Sequence, residues 1–304
     1  MKSERFVGVV MCGIMLGVAV DTAQGATIRY RQTGDWTLTA PTNTGPGWQN
    51  VSEMPGINDT GRVNWGGNTV TVTTAVPTIG QVQIGVDESG TLVVASGGVL
   101  TTDAAGTENG RVIVGNNNAA ATGTMTVAAG GIVNVGDILY TGLGTIGTTN
   151  ISGTVNVGSH LWTGWNAGIN GTINVNDGGI LNVSGQLGLN WNDNGAIGLL
   201  NINSGGTVNL SQIHSTGNSI RGDSLLTIAG TGMLTKTGNF VSVINTQYID
   251  TGKIVGAGGA ELIVTHDAGL NLTTVAIIPE PGSFILLGLA GFALLTRRRR
   301  WFAG

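Results

Sequence analysis

Short runs of alternating apolar and polar residues recur along the middle of the chain. Thr91-Leu92-Val93-Val94, Thr124-Met125-Thr126-Val127, Thr172-Ile173-Asn174-Val175 and Leu199-Leu200-Asn201-Ile202 stand before Gly-rich turns. Ile132-Val133-Asn134-Val135, Thr154-Val155-Asn156-Val157, Ile180-Leu181-Asn182-Val183 and Thr207-Val208-Asn209-Leu210 follow such turns. A third short segment comes next, at 112–115, 138–142, 161–164 and 187–189. A period of two is that of a strand with one face buried. The turns end at Gly98, Gly131, Gly153, Gly179, Gly206 and Gly232, at intervals of 33, 22, 26, 27 and 26 residues.

Three strands and three turns in about 26 residues make one supersecondary unit, and such a unit cannot bury its apolar face alone. Stacking the units predicts an all-β fold, a parallel β-helix (β-solenoid) with three short strands per coil. Alternation then gives the core. Leu92, Met125, Ile173 and Leu200 stack in one wall, with Val94, Val127, Val175 and Ile202 in the next layer. Val133, Val155, Leu181 and Val208 line a second wall, with Val135, Val157, Val183 and Leu210. The layers repeat at about 4.8 Å, the spacing between neighbouring strands. Gly130-Gly131, Gly178-Gly179 and Gly205-Gly206 mark a corner where positive φ favours glycine. The polar positions form registers of their own. Asn134, Asn156, Asn182 and Asn209 align outside the second wall, and Asn150, Asn174 and Asn201 align outside the first. Both are expected as structural ladders of stacked amides.

The repeat is not visible in residues 30–60, which carry Trp36, Trp48, Pro41, Pro46 and Pro55. Solenoids need atypical terminal units to cover an exposed core, so 26–75 is expected to be an N-terminal cap and first coil. Residues 76–275 are the repeats, with 239–276 as the last coils and an exit strand.

The two ends read as addresses. Lys2 and Arg5 precede an apolar run at 6–20, and polar residues lead to Ala23-Gln24-Gly25-Ala26. This is the plan of a secretory signal peptide occupying 1–25, cut between Gly25 and Ala26. Cys12, the only cysteine, lies within it. At the other end stand Pro279-Glu280-Pro281, an apolar stretch at 284–295, and Arg297, Arg298, Arg299 and Arg300. Residues 277–296 are long enough for a single membrane helix, and the four Arg favour a cytoplasmic tail.

Pro-Glu-Pro, a short apolar helix and a basic cluster, in that order, resemble the PEP-CTERM sorting signal of Gram-negative bacteria, here at 276–304. The resemblance implies export by the Sec machinery and recognition by an exosortase, a membrane cysteine protease. It further implies transient single-pass anchoring in the inner membrane, then passage to the cell surface or extracellular matrix, often with exopolysaccharide and biofilm. Similar tails occur on some ice-binding proteins. The start of the exported region is also similar to that of other PEP-CTERM surface proteins, through Trp, Pro-x-x-x-Asp and alternating Val and Thr.

Composition narrows the function. Charged residues are 10% of the 304, and 53 residues are Gly, without a three-residue period. A charge-rich disordered chain and collagen are both excluded. Residues 26–278 hold 14 acidic and 7 basic side chains, a net charge of −7, which makes nucleic acid an unsuitable partner. A chain with one Cys has neither a disulfide framework nor a Cys-based zinc site. His160, His214 and His266 lack metal-ligand spacing. No phosphate-cradling Gly loop surrounds Lys236 or Lys253, and no nucleophile elbow is present. No cofactor or metal is therefore implied.

A carbohydrate-active β-helix enzyme needs carboxylates that converge across coils. Here Asp177 aligns with Ser204, Asp193 with Ala167, and Asp137 with Ser159, so no two acids meet. No enzyme activity is expected. The candidate recognition feature is aromatic: Tyr140 and Trp162 share one register, Trp165 and Trp191 another, three places on. Exposed, they would offer a platform to sugar rings; packed, they would cover a corner of the solenoid. Thr154 and Thr207 alternate with Ile132 and Ile180, which argues against a uniform Thr array and against ice binding. The expectation is a structural or adhesive protein that binds extracellular polysaccharide or packs with its own copies. The alternatives are the β-helix enzyme and a rod tethered permanently in the periplasm.

Overall fold

The computed structural model describes residues 25–278, apart from 41–46, 50, 52, 107, 118 and 119. The apolar run at 6–20, Cys12, Pro41, Pro46, Pro279-Glu280-Pro281, the expected membrane helix and the four C-terminal Arg lie outside the described residues. Among the described residues no helix is long and apolar enough to cross a membrane.

The chain winds as a parallel β-solenoid. The coils in the middle of the stack contribute a strand to each of three sheets, named here in the order in which a coil visits them. The first sheet runs through Asn68–Val72, Gly90–Val94, Thr122–Val127, Ile146–Ile151, Asn170–Val175, Ile197–Ile202, Leu225–Ile228 and Ile254–Gly256. The second contains Val99–Thr101, Ile132–Val135, Thr154–Val157, the start of Ile180–Leu189, Thr207–Gln212 and Met233–Thr237. The third holds Thr27–Arg31, Thr60–Val63, Gln81–Ile84, Val112–Val114, Leu139–Thr141, Leu161–Thr163 and the end of Ile180–Leu189.

The core follows the alternation. Leu92, Met125, Ile173 and Leu200 pair in one register, and all are fully buried. Val133, Val155, Leu181 and Val208 do the same on the second sheet. Between Met125 and Ile173 the coil Ile146–Ile151 inserts Thr149, also fully buried. Its hydroxyl lies 2.9 Å from that of Thr141 on the third sheet, so the polar group has a partner inside the core.

The corner glycines have two separate duties. At Gly178-Gly179 the first residue has φ +69°, which a side chain adopts at a cost. The second has ordinary φ, but a Cβ there would stand 2.2 Å from the carbonyl oxygen of Ile151 in the coil below. The paired glycine is thus a matter of close approach as well as of backbone conformation.

The ends differ from the repeat. At the N-terminal end Tyr30, Trp36 and Trp48 are buried against one another, with Trp48 4.6 Å from Trp36 and 5.1 Å from Tyr30, edge to face. The Trp48 indole N–H donates to the Trp36 carbonyl at 2.7 Å. At the C-terminal end the expected further coils are replaced. A helical turn, Val241–Ile244, continues as one wide turn, Asn245–Ile249, and buries Ile244 and Tyr248. The first sheet gains its last strand, Ile254–Gly256. The chain then closes as an antiparallel hairpin, Leu262–Asp267 and Leu272–Ile277, against Met233–Thr237. Phe240, Ile244 and Tyr248 recur at helical spacing, and the helical segment lays that apolar stripe across the last coil.

Candidate functional site

The outer faces of the three sheets differ in chemistry because each strand repeats one outward pattern. On the second sheet the amides form a continuous ladder. Asn156 Nδ2 donates to Asn134 Oδ1 at 2.9 Å, Asn182 to Asn156 at 2.7 Å, and Asn209 to Asn182 at 2.8 Å. Thr101 and Thr235 extend it at either end, at 3.2 and 2.6 Å. On the first sheet Asn174 donates to Asn150 and Asn201 to Asn174, both at 2.9 Å. A third pair, Asn203 to Asn176 at 2.8 Å, stands at the corner between the two sheets. These amides are spent on one another, coil to coil, and stiffen the rod along its axis. Beyond the second-sheet ladder a groove of about 280 Å³ opens between Ser184, Ser211 and Thr237 and the Leu272 side chain.

The third sheet carries the aromatic groups. Ile113, Tyr140 and Trp162 share its outward register, followed by Gly188. They are nevertheless buried: Tyr140 is 8% and Trp162 6% exposed. The turn residues Leu143, Trp165 and Trp191 fold back over them and make a satellite apolar cluster outside the solenoid. The expected pairs are crossed. Trp162 packs on Trp165 at 5.6 Å and on Trp191 at 4.8 Å, while Tyr140 meets Trp165 edge to face at 5.5 Å. The physical cause is Gly188. A Cβ there would lie 2.2 Å from the Trp162 ring, so the missing side chain lets that indole lie over the next strand and reach Trp191. The half-buried surfaces of Trp165 and Trp191 are what this group leaves to a partner; the four rings do not form one exposed row.

Sequence reasoning missed three neighbours of this cluster. His160 stacks on Trp162 at 4.9 Å, His214 lies 6.1 Å from Trp191, and the Arg221 guanidinium sits 5.0 Å over the Trp191 ring. Arg221 also donates to the Trp191 carbonyl at 2.6 Å. Arg221 is placed there by the fold, since Ile220 bridges Leu189 and continues the third-sheet register by one coil. All five arginines in residues 26–278 lie on or beside this sheet: Arg29, Arg31, Arg62, Arg111 and Arg221.

Several carboxylates are engaged locally. Asp87 pairs with Arg29 at 2.9 Å, and Asp137 with Arg111 at 3.3 Å. Asp59 accepts from the Ala26 and Gly56 N–H groups, and Asp267 from those of Gly269 and Leu270. Burial pushes the Asp35 carboxyl up, but hydrogen bonds from Thr37 and Thr73 outweigh it and hold the group below the usual carboxylate range. Among the described residues no three His, Cys, Asp or Glu side chains gather as metal ligands do.

The fold and the C-terminal motif together define an exported β-solenoid. Residues 278–300 match the PEP-CTERM protein-sorting motif. The match spans Pro279, Glu280 and Pro281 and ends on Arg300, and it begins one residue after the strand Leu272–Ile277. The chain is therefore an exported protein sorted by an exosortase, with a Gly- and Asn-rich β-solenoid as its body. No curated protein matches the chain.

Proposed function

We propose that this chain is a non-enzymatic protein of the cell surface or extracellular matrix, structural or adhesive, that associates with exopolysaccharide. The observation that carries this reading is the direct junction of rod and sorting signal. The hairpin that closes the rod runs to Ile277, the Ile278 N–H is still bonded to the Glu261 carbonyl at 2.9 Å, and the motif starts at that residue. What is delivered is thus a rigid, repetitive surface. Several of its carboxylates, Asp59, Asp87, Asp137 and Asp267 among them, are committed to turns and Arg partners, which supports display in preference to acid–base chemistry, a chemistry that needs convergent, perturbed groups.

Delivery begins with the Sec machinery and a cut between Gly25 and Ala26. The Ala26 N–H already stands 3.0 Å from Asp59 Oδ1, so the new ammonium would gain a charge-assisted bond there. The exosortase then acts on the membrane-held tail. Intact mass and cell fractionation of the protein from its host test the whole route. A chain beginning near Ala26, ending within 279–282 and found outside the inner membrane is expected. A chain that keeps Arg297 to Arg300 in the inner membrane would overturn surface delivery and make the molecule a tethered rod. Trp165→Ala with Trp191→Ala tests the aromatic face: weaker retention on polysaccharide with unchanged melting is the platform's signature, whereas unfolding marks a packing role.

A further inference from the structure

The first sheet presents a second, unforeseen array. Thr69, Thr91, Thr124, Thr148 and Thr172 occupy one outward register in five successive strands, with no slip between them. Each of the five residues is half-buried. Among the described residues none of the five hydroxyls has a hydrogen-bond partner. The neighbouring column behaves oppositely, since Asn150, Asn174 and Asn201 satisfy one another. A row of free hydroxyls thus stands beside a row of locked amides. The six strands from Asn68–Val72 to Ile197–Ile202 contain no charged residue, although residues 26–278 as a whole carry a net charge of −7.

We infer that this face is the polysaccharide-binding surface and that its ligand is a neutral, insoluble polysaccharide laid along the solenoid axis. The inference rests on the proposed association with polysaccharide and names its site. A hydroxyl is donor and acceptor at once, as sugar hydroxyls are, so either orientation of a chain finds partners. The Thr methyl groups offer apolar contact to the C–H faces of sugar rings. Thr is β-branched and held at χ1, so little rotamer freedom is lost on binding. The hydroxyls repeat once per coil, at about 4.8 Å, which is close to the rise of one pyranose ring in an extended chain. An anionic polymer would bring charges that this face cannot pair, at a desolvation cost.

The test is co-sedimentation of the full chain in detergent with washed cellulose, chitin and β-1,3-glucan, and with an alginate gel. The wild type is expected to pellet with at least one neutral polymer and not with alginate. The triple variant Thr91→Val, Thr124→Val, Thr148→Val keeps shape and removes three hydroxyls, so affinity should fall at least about tenfold. Thr154→Val with Thr207→Val, on the second sheet, should change nothing. Melting curves establish folding, and Thr124→Arg, which raises a bulky cation above the column, is a second variant for the same loss. If the wild type pellets and the triple variant pellets equally well, the face is wrong and polysaccharide association survives. If the wild type pellets with no polymer, or partitions onto ice instead, both the face's ligand and that association are overturned.

Discussion

At the scale of single residues, burial sets the titration of the three tyrosines. Tyr30 is pushed up to about 12 from an ordinary 10.0, first by burial and then by the Asp35 charge; burial also raises Tyr140 and Tyr248. A phenol held protonated in the fold, but free to ionise when unfolded, contributes stability below the unfolded value and loses it as pH rises. Thermal melting should therefore be level just below pH 10 and fall between about 10 and 12. Tyr30 donates its hydroxyl to the Asp35 carbonyl at the N-terminal end. Tyr30→Phe should cost about 1 kcal/mol at neutral pH and make the alkaline fall shallower; an unchanged profile would show that the N-terminal end does not limit stability. Glycines divide by the same logic. Gly179→Ala would drive a methyl into the Ile151 carbonyl and should cost about 3 kcal/mol. Gly168 has φ +72° with open space around it, so Gly168→Ala should cost only about 1 kcal/mol, the strain of positive φ. Urea denaturation of the two variants separates the two roles.

At the scale of strands and ladders, stability is shared between neighbouring coils. Asn156 makes one bond down and one up the second-sheet ladder. Asn156→Ala removes both, in a place that water can reach, and should cost about 1–2 kcal/mol in denaturant unfolding. Val155, its inward neighbour, is fully buried. Val155→Asp places an unpaired charge in the core, a penalty of several kcal/mol, and should abolish cooperative melting. A folded Val155→Asp variant with the wild-type midpoint would mean that the inside and outside of the strand are exchanged. The alternation of Val155, Asn156 and Val157 was legible in the sequence because a period of two has only two phases, and the apolar one must face the core. The Asn ladders were legible for the same reason. Thr149 in the core was not, since a polar residue at an inward position is explained only by Thr141, which stands eight residues earlier and on another sheet.

At the scale of the whole molecule, a stack of coils exposes its core at both ends, and each end is closed by different means. Aromatic rings fill the first coil, and a helical turn with an antiparallel hairpin covers the last. Removing the hairpin by ending the chain at Gly256 should expose Ile244, Tyr248 and Ile254 and yield an aggregating product, because the last strands lose their cover. Gel filtration of that product tests this, and a stable monomer would show that the hairpin is dispensable. The body sits against the sorting motif with no spacer, so whatever the exosortase releases carries the hairpin as its end.

The sequence by itself determined the β-solenoid, the phase of its core, the Asn ladders and the sorting motif. Each of these is written in local order: alternation, a repeat near 26 residues, and a fixed succession of Pro-Glu-Pro, apolar run and Arg. Tertiary structure alone decided which rings touch, because Trp162 reaches Trp191 only over the missing side chain of Gly188. It also decided that five threonines from five coils share one register, since unequal turns, as between Thr91 and Thr124 or Thr124 and Thr148, hide that alignment until the coils are stacked. Properties of one strand are fixed by its own residues; properties of a face depend on how neighbouring coils are set against each other.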